Sequence, residues 1–255
     1  MKFCTSGGRG AMVAGGRGAM VALVVVALAA TGCTGAAGGK KAASPSASTT
    51  VTTSIAPTTT SAATSTAALS GVVVQTSDLP TGWMAEGPSI PEGAFVDVAS
   101  QLAHCLAVRD VTPDVTASTQ SGPFTQGEEI VVSTAASFSN DTDVAAETAM
   151  LTNPKFTKCF DQAASGASYG GATIQSATAT VEPGRGSGPA NVAGSLHVSY
   201  TGTYFSQGVQ STADVVLITG PRLLVTIEFF GITSSVPTAV EASVIAKVAA
   251  RAATG

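Results

Sequence analysis

Few residues in this chain have side chains suited to acid–base or nucleophilic chemistry. There are two histidines and four cysteines in 255 residues. His104 falls in a helical pattern, and His197 lies on the polar side of an alternating strand, between Leu196 and Val198. No partner group is identifiable for either one, so we interpret both as packed or solvated histidines rather than catalytic bases.

One pattern typical of a nucleophile occurs around Ser168, where residues 166–170 read Gly-Ala-Ser-Tyr-Gly. In serine hydrolases such a pattern follows a strand and leads into a helix. Here a helical pattern precedes it and a strand pattern follows. Glu182 and His197 come later in the right order, but without the alternating α/β units that would bring them together. We interpret the pattern as chance in a Gly/Ser-rich turn and predict that the chain is not an enzyme.

The N-terminal residues have the features of an export signal. Lys2, Arg9 and Arg17 precede an apolar run, 19–30, that has no polar side chain. A helix needs about 20 apolar residues to cross a bilayer, so this run is too short to span one and fits a signal peptide. We therefore expect residues 1–32 to be removed.

The residues that follow the apolar run define the kind of signal. The sequence Ala-Ala-Thr-Gly-Cys at 29–33 resembles the bacterial lipobox, in which small residues precede the cysteine that is acylated. This resemblance implies cleavage between Gly32 and Cys33, lipid on Cys33, and attachment to the extracytoplasmic face of the cell membrane. The alternative is ordinary cleavage after an alanine, which would leave Cys33 as a free thiol.

The other two cysteines of the mature chain are expected to pair. Cys105 and Cys159 each lie on the apolar stripe of a predicted helix, in a protein sent to an oxidising compartment. A metal site is the competing interpretation, but His104 adjoins Cys105 and would point to another helical face. Two sulfurs without convergent ligands do not make a zinc site, so we predict one disulfide, no metal and no cofactor.

Residues 33–69 are predicted to form a disordered tether. Between Ala42 and Leu69, fifteen of twenty-eight residues are Ser or Thr, and none is charged. Such a segment has too little apolar surface to offset the entropy of ordering it. The folded domain is then expected at 70–255.

Within that domain the periodicities predict an α+β fold. We expect an antiparallel sheet of about five strands with helices packed on one face. The first strand, at 71–75, is followed by a turn that carries the only tryptophan, Trp83. The predicted helices are at 95–108, 141–151, from Asn153 onward and from Thr238 onward; the other predicted strands are at 130–138, 172–182, 194–205, 209–219 and 222–230.

The charge of the mature chain excludes one class of partner. Removal of residues 1–32 leaves nine basic and sixteen acidic residues, a formal charge of −7, and Lys40-Lys41 is the one basic pair. Nucleic acid requires concentrated positive charge, so we predict no nucleic-acid partner.

The whole pattern resembles a known group of proteins. The export signal, the tether, the Asp-Leu-Pro-Thr-Gly-Trp opening at 78–83, and two helical cysteines before a run of strands look like secreted lipoproteins of mycobacteria and related actinobacteria. The domain is loosely similar to the extracellular sensor domains of mycobacterial receptor kinases. This resemblance implies an α+β domain with an antiparallel sheet around a cleft; those domains typically have two disulfides, whereas this chain has cysteines for one. It transfers no functional residue.

Two functions follow as expectations. The first is a non-catalytic ligand-binding or sensing domain, for an unknown small molecule or protein. The second is a structural or accessory lipoprotein of a cell-envelope complex. A cleft would favour the first and a flat apolar patch the second. Ser168 or a carboxylate beside His197 in a pocket would favour an enzyme.

Overall fold

The computed structural model describes residues 66–86, 96–169, 172–182, 189–204, 207–232 and 234–254. The residues predicted to form a signal peptide, a lipobox with Cys33 and a tether lie outside the described residues as far as residue 65. The predictions made for them therefore remain predictions.

The described residues form an antiparallel sheet with helices on both faces. Nine strands are present, arranged in the order β1-β3-β4-β9-β8-β7-β6-β5, with β2 also paired to β4. The strands are β1 (Met84–Ala85), β2 (Val115–Gln120), β3 (Phe124–Gln126), β4 (Glu129–Phe138), β5 (Ser168–Tyr169), β6 (Ala172–Glu182), β7 (Val192–Tyr204), β8 (Gln207–Gly220) and β9 (Leu223–Gly231). The α-helices are α1 (Thr66–Leu69), α2 (Val96–Leu106), α3 (Asp141–Ala149), α4 (Phe156–Ala164) and α5 (Thr238–Ala252), with short 3₁₀ turns at Thr76–Asp78, Thr112–Asp114 and Met150–Thr152.

The predicted fold class is confirmed, but the number of strands is wrong. The sheet has nine strands among the described residues, not about five. Four of them, β1, β2, β3 and β5, have two to six residues each and were not predicted. The expected strand at 71–75 is absent: its valines run through a turn and irregular backbone, and Val72, Val73 and Val74 are all buried.

The helices lie on both faces of the sheet, whereas the sequence predicted them on one face. Strand β8 shows this directly, because Val215 and Leu217 join one apolar cluster while Val216 and Ile218 join another. The cluster on the first face contains the buried side chains of α2 and α4, and the cluster on the second face contains those of α5. Alternate residues of a strand point to opposite faces, so the central strands are covered twice.

Helix α5 attaches the N-terminal residues of the domain to the second face. Its Arg251 pairs with the buried carboxylate of Asp78 at 2.6 Å and donates to the carbonyl of Val73 at 3.0 Å. Leu69 of α1 is fully buried in the same cluster. The four residues of α1 therefore belong to the folded part, although they were assigned to the tether.

The helices α3 and α5 begin in different ways. Asn140 caps α3, since its side chain accepts a hydrogen bond from the backbone N–H of Asp143 at 3.0 Å. The sequence Thr-Ala-Val-Glu at 238–241 has the pattern of a capping box, but Pro237 occupies the cap position and Thr238 is already helical, so no capping box forms there. No helix among the described ranges is both long and apolar enough to cross a membrane.

Candidate functional site

Among the described residues, part of the second face is not covered by a helix, and this open face carries polar side chains. On β6, β7 and β8 the alternation sends apolar residues, such as Leu196 and Val198, to the first face, where they are buried. The residues between them are polar and exposed or half-exposed. We define the open face by Thr178 and Thr180 of β6, His197, Ser199 and Thr201 of β7, and Gln210, Thr212 and Asp214 of β8.

A histidine–carboxylate pair lies on this face. His197 and Asp214 are directly opposite each other in the β7–β8 register, and Nδ1 of the imidazole is 2.9 Å from Oδ1 of the carboxylate. The imidazole side chain is 37% exposed and the carboxylate 14%. A carboxylate only accepts hydrogen bonds, so Nδ1 donates to it and Nε2 of the neutral ring remains as an acceptor.

Next to this pair the open face becomes concave. A cavity of about 430 Å³ is lined by residues of β7 and β8 and by the loop after β9. The next pair of residues on the same face, Ser199 and Thr212, lines it. Same-face neighbours of a strand are roughly 7 Å apart, so the His197–Asp214 pair borders the cavity. The full lining is Ser199, Tyr200, Thr201, Gln210, Ser211, Thr212, Ile232, Ser234 and Ser235.

The loop that forms the far wall depends on Gly231. A Cβ atom at this position would collide with the carbonyl oxygen of Ser234. Glycine therefore lets the chain turn back tightly over the last residue of β9 before it enters α5. Ser234 and Ser235 are exposed at this turn, and they lie against the polar ends of β7 and β8.

A second cluster of polar groups is enclosed within the first face. Burial raises the pKa of Glu228 well above its usual range, so this carboxyl group holds its proton. Burial also raises the pKa of Tyr200, and a negative charge on Glu228 would add to that effect. The Tyr200 hydroxyl is buried without a hydrogen-bond partner. Tyr200 also contributes to the cavity lining, but its hydroxyl is buried, and the buried Glu228 is not among the lining residues.

A third polar cluster joins α3 to the loops beside it. Arg109 pairs with Asp143 at 2.7 Å and also with Asp114. Burial, together with the nearby charge of Asp110, raises the pKa of Glu147 on the same helix to about 7. Within the described ranges, no group of three or more His, Cys, Asp or Glu residues could hold a metal ion.

The structure brings together the two cysteines that the sequence paired. Cys105 on α2 and Cys159 on α4 form a disulfide, with their Cα atoms 5.6 Å apart. It connects two helices of the first face and lies away from the open face. Cys33 and Gly32 lie outside the described residues.

The other residues considered from the sequence are dispersed. His104 is exposed on α2, and Trp83 is buried in the apolar cluster of the second face with its indole nitrogen unpartnered. Ser168 lies on β5, between the end of α4 and β6, so the strand–turn–helix context of a nucleophile elbow is absent there.

Sequence reasoning placed His197 on a polar strand face but missed Asp214. The missing information was the register of the β7–β8 hairpin. In that register Tyr204 is opposite Gln207, and His197 is therefore opposite Asp214. The strands predicted at 194–205 and 209–219 pair residue 205 with residue 209, and in that register His197 lies opposite Leu217. The observed register differs by three positions, and an odd shift moves every side chain to the other face. Because the sequence does not locate this turn, Asp214 could not be identified as the partner of His197.

Comparison with known proteins gives one distant structural likeness. No protein-family model matches the chain, and no curated protein matches it either. Among the solved structures that match, the extracellular domain of PknH from Mycobacterium tuberculosis is similar with a TM-score of 0.45 and 10% sequence identity. The match covers 75% of this chain and 97% of that chain.

Proposed function

We propose that the chain is an extracytoplasmic lipoprotein, held on the membrane through lipid on Cys33, whose domain binds a polar ligand in the cavity of the open face. The observation that carries the binding role is the cavity of about 430 Å³ beside the His197–Asp214 pair. Ligand sites usually enclose roughly 300–1,000 Å³ and present a few fixed polar groups. The anchoring role rests on the apolar run and lipobox-like residues at 19–33.

Binding, rather than catalysis, is the role that this geometry favours. Asp214 orients the imidazole of His197 at the border of a cavity, which is the arrangement expected above to favour an enzyme. A base must also reach a nucleophile within about 3 Å. Thr180 lies directly opposite His197 on β6 and Ser199 lies two residues along β7, but the hydrogen bond described for the imidazole goes to Asp214 and to neither hydroxyl. The pair is therefore better placed to accept a hydrogen bond from a ligand than to activate a side chain.

The accessory role in an envelope complex has less support from the surface. Protein-docking patches are large and apolar at their centre. Among the described residues, the exposed large hydrophobic side chains are Met84 and Val108. They belong to β1 and to the segment after α2, which are separate elements.

The test of the binding role is native mass spectrometry of the full chain isolated from its own host. We expect a non-covalent adduct on the wild type that is lost in Ser199→Phe, because the added ring fills the cavity. The matched control is Gln120→Phe, which puts the same ring on an exposed residue of β2, outside the open face and the cavity lining. A wild type without any adduct, or an adduct that Ser199→Phe retains, would contradict the proposal.

A further inference from the structure

We infer that the ligand is an uncharged polyhydroxylated chain, an oligosaccharide, that occupies the cavity and continues over β7 to β6. This inference rests on the proposed binding role of the open face and adds the chemical class of the ligand. The properties that carry it are hydrogen-bonding capacity, charge and extent.

The hydrogen-bonding groups of the open face match those of a sugar. Of the nine residues that line the cavity, Ser199, Thr201, Thr212, Ser234 and Ser235 carry hydroxyl groups and Gln210 carries an amide. Ser211 also carries a hydroxyl, but it is opposite Tyr200 in the register and points to the first face. A hydroxyl donates one hydrogen bond and accepts two, and an amide both donates and accepts. Sugar hydroxyls have the same dual character. Each contact can therefore form in either direction, as in the 2.7 Å contact between the hydroxyls of Ser176 and Thr201.

The charge of the site argues against other ligands. Among the described residues, the cavity lining contains no lysine, arginine, aspartate or glutamate, so a phosphate or a carboxylate would meet no countercharge from them. Asp214 is engaged with His197, and the described residues offer no metal-binding cluster. Ile232 is the aliphatic side chain of the lining, too little surface for an apolar ligand. An uncharged ligand with many hydroxyls satisfies the site best.

The extent of the face indicates a chain rather than one sugar ring. Thr178 and Thr180 of β6 are exposed on the same face, and Thr180 is directly opposite His197 in the register. Neighbouring strands are about 4.8 Å apart, so polar groups on three strands extend about 10 Å across the sheet. In a neutral imidazole, Nε2 of His197 accepts a hydrogen bond midway along this path.

The experiment is calorimetric titration of the full chain with named sugars. The probes are maltohexaose, cellohexaose, chitohexaose and mannohexaose, with glucose and mannose as single-ring probes and inorganic phosphate as the anionic probe. We expect at least one hexasaccharide to bind at millimolar concentration or below, more tightly than the single sugars, and phosphate not to bind.

Two substitutions locate the chain on the face. Ser199→Ala removes a hydroxyl from the cavity, and Thr180→Val removes one from β6 while it preserves shape and strand preference. Each should weaken binding of the hexasaccharide roughly three- to tenfold, the loss that corresponds to one hydrogen bond. Thr119→Val is the matched control, since Thr119 is a half-exposed threonine of β2, outside the open face. Its affinity should equal that of the wild type.

The outcomes separate this inference from the proposed function. Absence of binding by all four hexasaccharides, or tight binding of phosphate, overturns the oligosaccharide inference. An unchanged affinity in Thr180→Val overturns the continuation over β6. If the native adduct is lost in Ser199→Phe yet its mass corresponds to a compound without sugar units, the binding function stands and the inference fails. Absence of any native adduct contradicts the function itself.

Discussion

Replacement of Glu147 by glutamine should change how the stability of the domain depends on pH. Glu147 lies on α3 and is 8% exposed. Burial raises its pKa from 4.5 to about 7, and the negative charge of Asp110 contributes in the same direction. The folded protein therefore favours the neutral acid, which glutamine resembles in shape and charge.

The sign and size of the effect follow from the two pKa values. A carboxyl group with a raised pKa stabilises the fold fully below the pKa of the unfolded chain, near 4.5, and this contribution is lost as the pH rises through about 7. Between these values the folded state binds more protons than the unfolded state. The pKa difference corresponds to about 3 kcal/mol, at about 1.4 kcal/mol for each pKa unit. The Glu147→Gln variant cannot lose this contribution.

Urea unfolding from pH 4.5 to pH 8, followed by the fluorescence of Trp83, measures the effect. Trp83 is the only tryptophan and is 6% exposed, so its emission reports on unfolding. Relative to the wild type, the variant should gain about 3 kcal/mol in its free energy of unfolding across this range. Glu129→Gln, at a half-exposed position of β4, is the matched control and should follow the wild type. If the difference between Glu147→Gln and the wild type is constant with pH, then burial does not perturb this carboxyl group.

Two further predictions concern the cysteines. Cys33→Ala should move the protein from the detergent phase to the aqueous phase of a detergent partition, because each acyl methylene contributes about 0.8 kcal/mol to membrane binding; unchanged partitioning would contradict lipidation at this residue. The double variant Cys105→Ser, Cys159→Ser should lower the free energy of urea unfolding by about 4 kcal/mol, since the disulfide closes a long loop between residues 54 apart. Equal stability of the variant and the oxidised wild type would show that the crosslink does not stabilise the fold.

The long strands could be predicted from sequence because their signals are local. The alternation in β7 and β8 and the turn at Pro221-Arg222 define the hairpins without knowledge of the rest of the fold. Strands β2 and β3 lack such a signal, since they are short and rich in Thr and Gln. They become strands only because β4 offers its free edge to both.

The sequence of one strand, β9, also indicates that both faces of the sheet are covered. Every residue of β9 is buried, and a continuous apolar run of this kind indicates cover on both faces. Its sequence, Leu-Leu-Val-Thr-Ile-Glu-Phe-Phe-Gly, has no polar alternation of the sort that β7 shows. By contrast, the three consecutive valines at 72–74 have the sequence of a buried strand, but in the structure they are buried in a turn and irregular backbone. Their backbone makes no strand pairing: the N–H groups of Val72 and Val73 donate to the carbonyl of Leu69, and the N–H of Val74 donates to the Ser133 hydroxyl at 2.7 Å.

The open face arises from a mismatch in length between helix and strands. Helix α5 has 15 residues and spans about 22 Å, at about 1.5 Å per residue. Strand β8 has 14 residues and spans about 46 Å, at about 3.3 Å per residue. The helix and the N-terminal segment therefore cannot cover the whole β7–β8 hairpin, and the uncovered part has to be polar to remain solvated.

The polarity of the open face therefore follows from its contact with solvent and is not by itself evidence of a function. A solvated sheet face, however, needs neither concavity nor a paired imidazole. Here the chain turns back at Gly231 and walls off a cavity at the border between covered and open sheet. The imidazole of His197 is held by a carboxylate from the next strand beside this cavity. These two features cost conformational freedom and desolvation without adding to the core, and the ligand binding that we propose would account for both.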